Sequence, residues 1–161
     1  MELRSMEIKS LSAHAAGRVL LEQMYREHTG KPIPRILVTD RGKPYFQDSG
    51  LHFSISHTKR TVFCVLSDKP VGIDAEELDR DIDLRLGDKI LSETEKPRYA
   101  SAKDPRLALL RFWVLKEAAA KCSGEGLRGY PNKTDFFPED PRVITKDGCL
   151  VAVIEEDNDA V

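Results

Sequence analysis

Apolar residues recur at helical intervals in two stretches of the chain. The first stretch runs from Ser12 to His28, and Ser10 or Ser12 is suited to cap its first turn. The second runs from Arg106 to Cys122, follows Asp104 as a cap, and consists mainly of strong helix formers such as Leu and Ala. The pattern therefore predicts two long amphipathic helices.

Short runs rich in β-branched and aromatic residues predict strands between and after these helices. The runs are Ile36 to Thr39, His52 to Ser56, Thr61 to Leu66, Val71 to Ala75, Val143 to Thr145 and Cys149 to Ile154. Residues 67–70 form a Ser, Asp, Lys and Pro turn, which predicts an antiparallel hairpin of the runs on either side of it. The last two runs are joined by a turn at Lys146-Asp147-Gly148 and predict another hairpin. Two short helices are expected at Leu84 to Ile90 and Glu93 to Tyr99.

The order of helix, strands, helix and strands predicts an α+β fold with antiparallel pairing. A chain of 161 residues suits one compact domain, or two small halves that share a core. Residues 155–161 are rich in acidic side chains and are expected to form a solvated tail.

Positive and negative side chains are nearly equal in number, so the protein as a whole has no positive potential that would bind nucleic acid. Lys and Arg number 25 against 27 Asp and Glu, so an anionic ligand has to be bound by a local cluster of cations. The N-terminal ten residues contain no apolar run typical of a secretory signal, and no apolar stretch approaches the about 20 residues of a membrane span. Three cysteines without paired spacing indicate a reducing compartment. We therefore expect a cytoplasmic protein without a nucleic-acid or membrane partner.

Two acidic residues lie at the end of a predicted strand. Asp74 and Glu76 are two positions apart, so their side chains point to the same face. Bare carboxylates at this spacing repel each other, and a hard cation such as Mg²⁺ would relieve that repulsion. The alternative is a solvated strand end without a ligand.

The second long helix carries an acidic residue among cations. Glu117 precedes Lys121 by four positions, which favours an ordinary ion pair on a solvated face. Helical spacing also places Trp113 and Lys116 on neighbouring rows, so these residues are candidates for the wall of a phosphate and metal pocket. Trp113 is equally compatible with a core position.

Two further segments offer groups that bind phosphates. Ser56 and His57 end a predicted strand, and Lys43 lies between Gly42 and Pro44 on a constrained loop. Each of these residue types is more often structural or merely exposed when it is taken alone.

The order and spacing of these motifs resemble the 4′-phosphopantetheinyl transferase superfamily, and within it the surfactin-synthetase-activating branch. The resemblance is carried by five segments: Gly42-Lys43-Pro44, Phe53-Ser54-Ile55-Ser56-His57, Val71-Gly72-Ile73-Asp74-Ala75-Glu76, Phe112 to Lys121, and Gly124-Glu125-Gly126-Leu127. It implies two α+β halves related by pseudo-twofold symmetry, about 1–66 and 67–154, each with antiparallel strands packed on a long helix and with the ligand cleft between them.

The resemblance also implies an activity and a set of site residues. The enzyme would transfer the 4′-phosphopantetheine group of coenzyme A to a serine of an apo acyl- or peptidyl-carrier protein, in fatty-acid, polyketide or nonribosomal peptide biosynthesis. The implied Mg²⁺ ligands are Asp74, Glu76 and Glu117. The implied coenzyme A contacts are Lys43, Ser56, His57, Lys116 and Lys121. Of these, His57 and Lys121 would contact the phosphates and Lys43 and Ser56 the nucleotide end, whereas Lys116 and Trp113 would have supporting roles. Of these residues, Glu117, Lys121 and His57 would be catalytic, and the base would be Glu117 or a water beside the metal.

The chain departs from the branch at both ends. Only Met1 to Ser10 precede the first helix, so we expect one strand of the first half to be absent and the open edge to pair in a homodimer. Three alternatives to the transferase stay open: a non-catalytic relative that binds coenzyme A or a carrier protein, an unrelated Mg²⁺-dependent phosphotransferase, and a purely structural α+β module. The second is disfavoured because the chain has no G-x-x-x-x-G-K-[ST] phosphate loop.

Overall fold

The computed structural model describes residues 1–126 and 134–157. Their strands are β1 (Glu2–Glu7), β2 (Ile36–Val38), β3 (Pro44–Phe46), β4 (His52–His57), β5 (Thr61–Ser67), β6 (Val71–Glu77), β7 (Val143–Lys146) and β8 (Cys149–Glu155). The helices are α1 (Ala13–Thr29), α2 (Gly87–Ile90), α3 (Glu95–Ala100) and α4 (Pro105–Ser123), with a 3₁₀ turn at Leu84–Leu86.

The first half packs α1 against an antiparallel sheet in the order β1-β5-β4. The Ser12 hydroxyl begins α1 by accepting a hydrogen bond from Ala15 N at 3.1 Å, and Gly30 ends the helix in the left-handed conformation. Because side chains alternate along β5, Val62, Cys64 and Leu66 point to the apolar face of α1.

The second half packs α4 against a sheet in the order β6-β8-β7. Asp104 begins α4 by accepting a hydrogen bond from Leu107 N at 3.0 Å, and Pro105 occupies the first turn. Along β8, Leu150, Ala152 and Ile154 point to α4. Both three-stranded sheets thus have the same strand order, in which the last strand of the sheet along the chain lies between the other two, while β2 and β3 form a separate two-stranded sheet.

The opposite faces of the two sheets form an inner core that both halves share. Phe63 and Val65 of β5 pack there with Val71 and Ile73 of β6 and with Val151 of β8. The layers therefore run from α1 through the two sheets to α4. This arrangement confirms the predicted α+β class with antiparallel sheets and a long helix in each half.

Two serine side chains join the sheets where β4 lies beside β6. Ile73 N donates a hydrogen bond to the Ser54 hydroxyl, and Ala75 N donates one to the Ser56 hydroxyl, each at 3.1 Å. The two strands belong to separate sheets, so these side chains take the place of a backbone ladder.

The predicted hairpin across residues 67–70 is wrong. β5 pairs with β1 and β4, whereas β6 pairs with β8. The turn carries the chain from one sheet to the other. Val65 of β5 and Val71 of β6 therefore pack against each other between the two sheets, in the inner core, and are not neighbours within one sheet.

The expected absence of a strand in the first half is also wrong. Glu2–Glu7 forms β1 and pairs along its whole length with β5, from Glu2 opposite Leu66 to Glu7 opposite Thr61. Its residues are mostly polar, as suits an edge strand, and this polarity conceals the strand in the sequence. β3, at Pro44–Phe46, is a strand that the sequence does not predict, and its first residue belongs to the expected Gly42-Lys43-Pro44 loop. In the residues described, no helix has both the length and the apolar character that crossing a membrane requires.

Candidate functional site

The contact between β6 and α4 positions the acidic residues of the site. Val71, Ile73 and Ala75 face the inner core, so the alternate residues Asp74 and Glu76 face α4. Gly72 allows a close approach: a Cβ atom at this position would lie 2.0 Å from the backbone oxygen of Ala118. The glycine therefore lets the α4 backbone lie directly on β6, next to both carboxylates.

Asp74 is buried, and its two carboxylate oxygens have different surroundings. Oδ1 accepts hydrogen bonds from the Ser56 hydroxyl at 3.2 Å and from Lys121 Nζ at 3.0 Å. Oδ2 is buried and receives no hydrogen bond from the residues that the structure describes. Burial raises the pKa of Asp74, and the neighbouring Lys121 ammonium opposes that rise.

Glu76 lies nearer the surface at the end of β6. Its Oε1 accepts a hydrogen bond from Arg80 and another from Trp113 Nε1 at 3.3 Å. Trp113 therefore connects α4 to the acidic end of β6, although it also packs against the core of the second half.

Glu117 is half-buried on the side of α4 that faces β6. Burial, together with the nearby negative charge of Asp74, raises the pKa of Glu117 to about 7. Glu76 contributes a further, smaller rise. The charges of these three carboxylates thus act on one another. Lys121 binds Asp74 and the backbone oxygen of Ile73, each at 3.0 Å, so it is engaged with β6 and not confined to an ion pair along its own helix.

A cavity of about 310 Å³, here the interhalf cavity, opens between the first half and α4. Its lining comes from both halves: Arg41, Gly42, Lys43, Pro44, Phe53, Ser54, Ile55, Glu117, Ala120, Lys121, Gly124 and Gly126. Lys43 donates a hydrogen bond to the backbone oxygen of Cys122 near the end of α4, and burial lowers the pKa of Lys43. Leu127, which completes the last motif, lies outside the described residues.

A second cavity, of about 680 Å³, lies at the opposite end of the acidic group and contains His57 and Glu76. His57 is exposed there, with its Nδ1 3.1 Å from the backbone oxygen of Thr58. Arg80 lines the same cavity and is a cation that the motifs did not single out. The acidic residues thus connect a cavity that contains Lys43 and Lys121 with one that contains His57 and Arg80.

The structure does not bring Lys116 into this group. Its ammonium forms an ion pair with Glu95 at 2.8 Å, and both side chains are fully buried. Because successive helical residues are rotated by about 100°, Lys116 points toward α3 while Glu117 points toward β6. This placement differs from the expected contact with coenzyme A.

Asp74, Glu76 and Glu117 are the candidate ligands for a divalent cation. In the described ranges, no three His, Cys, Asp or Glu side chains already converge closely enough to hold a metal. The chemistry nevertheless fits Mg²⁺, because Asp74 Oδ2 is buried without a donor among the described residues, and because burial together with the negative charge of Asp74 raises the pKa of Glu117. A hard cation would satisfy the oxygen and relieve the repulsion.

Comparison with known proteins identifies one family. Residues 70–149 match the family model described as the 4′-phosphopantetheinyl transferase superfamily. The chain is 30% identical over 129 residues to the 4′-phosphopantetheinyl transferase gsp of Aneurinibacillus migulanus, which covers 78% of this chain and 54% of that protein.

Two further relatives show the same pattern. The chain is 32% identical to the 4′-phosphopantetheinyl transferase psf-1 of Bacillus pumilus over 69% of this chain and 49% of the relative. It is 34% identical to the 4′-phosphopantetheinyl transferase Sfp of Bacillus subtilis over 58% of this chain and 42% of the relative. The chain thus spans about half the length of the curated relatives it matches.

Proposed function

Because the chain belongs to the 4′-phosphopantetheinyl transferase superfamily, we propose that it transfers the 4′-phosphopantetheine group of coenzyme A to a serine of an apo acyl- or peptidyl-carrier protein. The observation that supports this most directly is the position of Glu117. It faces Asp74 and Glu76 on β6 and also lines the interhalf cavity beside Lys121. Transfer of a group from a pyrophosphate requires carboxylates that hold a metal ion and cations that stabilise the negative charge of the transition state.

Coenzyme A would occupy the cleft between the two halves, which we propose are related by pseudo-twofold symmetry. Lys43 and Lys121 line the interhalf cavity, and His57 lies at the other end of the acidic group. The lysine ammonium groups at one end and the histidine ring at the other would donate hydrogen bonds to phosphate oxygens. Lys121 would form such a bond while it stays next to Asp74.

Asp74, Glu76 and Glu117 would hold Mg²⁺. When bound, the ion would neutralise charge on the phosphoryl group and on the leaving group. The protein's own contribution is to keep three oxygen donors on the β6–α4 contact, with Asp74 Oδ2 not bound by any described donor.

Glu117 is proposed as the base that takes the proton of the attacking serine. The serine oxygen then forms a bond to the β-phosphorus of coenzyme A. The bond between that phosphorus and the oxygen of the leaving group, adenosine 3′,5′-bisphosphate, breaks. A water beside the metal is the alternative base. Removing a general base costs about 10²- to 10⁴-fold in rate.

The rival function is non-catalytic binding of coenzyme A or of a carrier protein. Glu117 and Lys121 line the interhalf cavity, His57 and Glu76 line the second cavity, and buried Asp74 is bound to Lys121, which supports a transferase over a relative that has lost its site. A cytoplasmic location and a homodimer remain predictions.

The test is to incubate the chain with coenzyme A, Mg²⁺ and a panel of apo carrier proteins. A mass increase equal to one phosphopantetheine arm is expected on at least one carrier, and EDTA should abolish it. Glu117→Gln should transfer about 10²- to 10⁴-fold more slowly, whereas Glu93→Gln, at an exposed carboxylate, should match the unmodified chain. Thermal stabilisation by coenzyme A without any mass increase would favour the binding protein.

A further inference from the structure

Ser56 is buried at the junction of β4 and β6, and its hydroxyl both donates and accepts a hydrogen bond there. Only 6% of its surface is exposed. The oxygen accepts a hydrogen bond from Ala75 N at 3.1 Å, and the hydroxyl donates one to Asp74 Oδ1 at 3.2 Å. Both of these partners belong to β6, so Ser56 binds the side chain of Asp74 and the backbone N–H of the residue that follows it.

The single proton of Ser56 determines what this residue is able to bind. A hydroxyl has one hydrogen to donate. Since Asp74 Oδ1 accepts it, Ser56 has no second hydrogen for a phosphate of coenzyme A unless it releases the carboxylate. The contact with the nucleotide end that the sequence suggests would therefore compete with the contact to Asp74.

The hydrogen bonds to Asp74 are also unevenly distributed between its oxygens. Ser56 and Lys121 both donate to Oδ1, which fixes the plane of the carboxylate. Oδ2 is left as the buried oxygen without a donor among the described residues. The orientation of the carboxylate thus selects the oxygen that is available to a cation.

We infer that Ser56 is a positioning residue that orients Asp74 so that Oδ2 faces the cation. This inference rests on the proposed function, because it supposes the Mg²⁺ site. Ser56 acts through Asp74, in the way that hydrogen-bond partners of metal ligands commonly tune affinity.

Ser54 provides a matched control on the same strand. It is two positions earlier, 7% exposed, and accepts a hydrogen bond from Ile73 N at 3.1 Å. Within the described part of the chain it forms no hydrogen bond to a carboxylate. Loss of either hydroxyl removes one hydrogen bond from a backbone N–H of β6, but only the loss of Ser56 also removes a hydrogen bond to Asp74.

The experiment measures Mn²⁺ affinity, by calorimetry, of the metal-free full chain without coenzyme A. Ser56→Ala should bind Mn²⁺ about 10- to 100-fold more weakly than the unmodified chain. Ser54→Ala should retain the unmodified affinity, although both variants should melt at a lower temperature. Ser56→Cys preserves the size of the side chain with a weak donor, so it should repeat the loss if Ser56→Ala fails to fold.

Equal Mn²⁺ affinity for Ser56→Ala and the unmodified chain would overturn the inference. A raised KM for coenzyme A with unchanged Mn²⁺ affinity would also overturn it and would assign Ser56 to the nucleotide. Failure of the unmodified chain to bind Mn²⁺ would reject both the inference and the metal site. Binding of Mn²⁺ without phosphopantetheine transfer would reject only the proposed function, since the comparison of Ser56 with Ser54 would still decide the inference.

Discussion

The surroundings of Glu117 change its acid–base behaviour more than its position in a helix would suggest. A glutamate followed four residues later by a lysine is usually a solvated ion pair with an ordinary pKa. Here the Lys121 ammonium is bound to Asp74, and burial next to Asp74 raises the pKa of Glu117 from 4.5 to about 7. The same side chain would therefore be partly protonated at neutral pH in the absence of a cation.

This shift predicts how the stability of the metal-free protein depends on pH. A carboxyl whose pKa is higher in the folded state binds more protons there, so the free energy of unfolding falls as pH rises from about 4.5 to about 7. Glu117→Gln removes this contribution. In EDTA, the variant should gain stability relative to the unmodified chain across this window, with the largest difference above pH 7. Thermal melts of both proteins across the pH range measure this difference in stability. A stability difference that does not change with pH would contradict the prediction.

At the scale of the elements, the contact of β6 with α4 depends on the absence of a side chain at Gly72. A Cβ atom there would lie 2.0 Å from Ala118 O and 2.4 Å from Cys122 N, both of which are backbone atoms. Because a helix backbone yields little, a larger residue would push α4 away from the strand. The separation of Glu117 from Asp74 would then increase.

Gly72→Ala is therefore expected to destabilise the protein by about 3 kcal/mol or more, at the upper end of overpacking effects. It should also weaken Mn²⁺ binding, because the carboxylates would move apart. Gly50→Ala is the control: nothing lies within 4 Å of its added Cβ atom, so its unfolding midpoint should stay close to that of the unmodified chain. Urea denaturation measures both. A Gly72→Ala midpoint equal to that of Gly50→Ala would show that α4 does not need this approach.

A second contact between elements ties α3 and the segment at residues 134–136 to α4. Glu95 accepts hydrogen bonds from Ser92 N at 2.9 Å and from Phe136 N at 2.8 Å, and it pairs with Lys116 at 2.8 Å. The carboxylate thus has donors on three sides although it is fully buried. Lys116 compensates its charge and fixes the rotation of α4, which turns the next residue, Glu117, toward β6.

Lys116→Met should cost about 3–5 kcal/mol, because it leaves a buried carboxylate without its cation. The double variant Lys116→Met with Glu95→Gln should recover part of this loss, since no buried charge is then unpaired. Lys89→Met, at an exposed position, should change stability by less than about 0.5 kcal/mol. Denaturant unfolding of all three measures the effect, and a double variant that is less stable than Lys116→Met would contradict the assignment.

In the whole molecule, the inner core makes the two halves one cooperative unit. Phe63 of the first sheet is fully buried and packs with Ile73 and Val151 of the second sheet. Neither sheet is able to bury this face without the other. Unfolding of one half therefore exposes apolar surface of the other, and a single transition is expected.

Phe63→Ala tests this coupling, with an expected loss of about 3–5 kcal/mol. The chain has one tryptophan, Trp113, which lies on α4 in the second half. The fluorescence of Trp113 should show a lower unfolding midpoint although the substitution is in the first half. The transition followed by fluorescence should coincide with the one followed by circular dichroism. Val38→Ala, at an exposed strand residue, is the control. A Trp113 midpoint that Phe63→Ala leaves unchanged would show that the halves unfold independently.

The amino-acid sequence by itself determined the elements whose signals are local. The period of apolar residues and the caps at Ser12 and Asp104 predicted both long helices to within a residue or two of their ends. The Lys146-Asp147-Gly148 turn predicted the last hairpin. Period two along β6 placed Asp74 and Glu76 on one face. These features follow from backbone geometry and nearby side chains, which a single segment contains.

Only the tertiary structure decided which segments are neighbours. The same turn composition that suggests a hairpin at residues 67–70 also serves as a link between two sheets, and the polar edge strand β1 lacks the apolar alternation of a buried strand. Lys116 and Lys121 lie on one helix with similar local patterns, yet one pairs with Glu95 and the other with Asp74. Partners distant in the chain, desolvation and close backbone approach set these outcomes, and no local pattern encodes them.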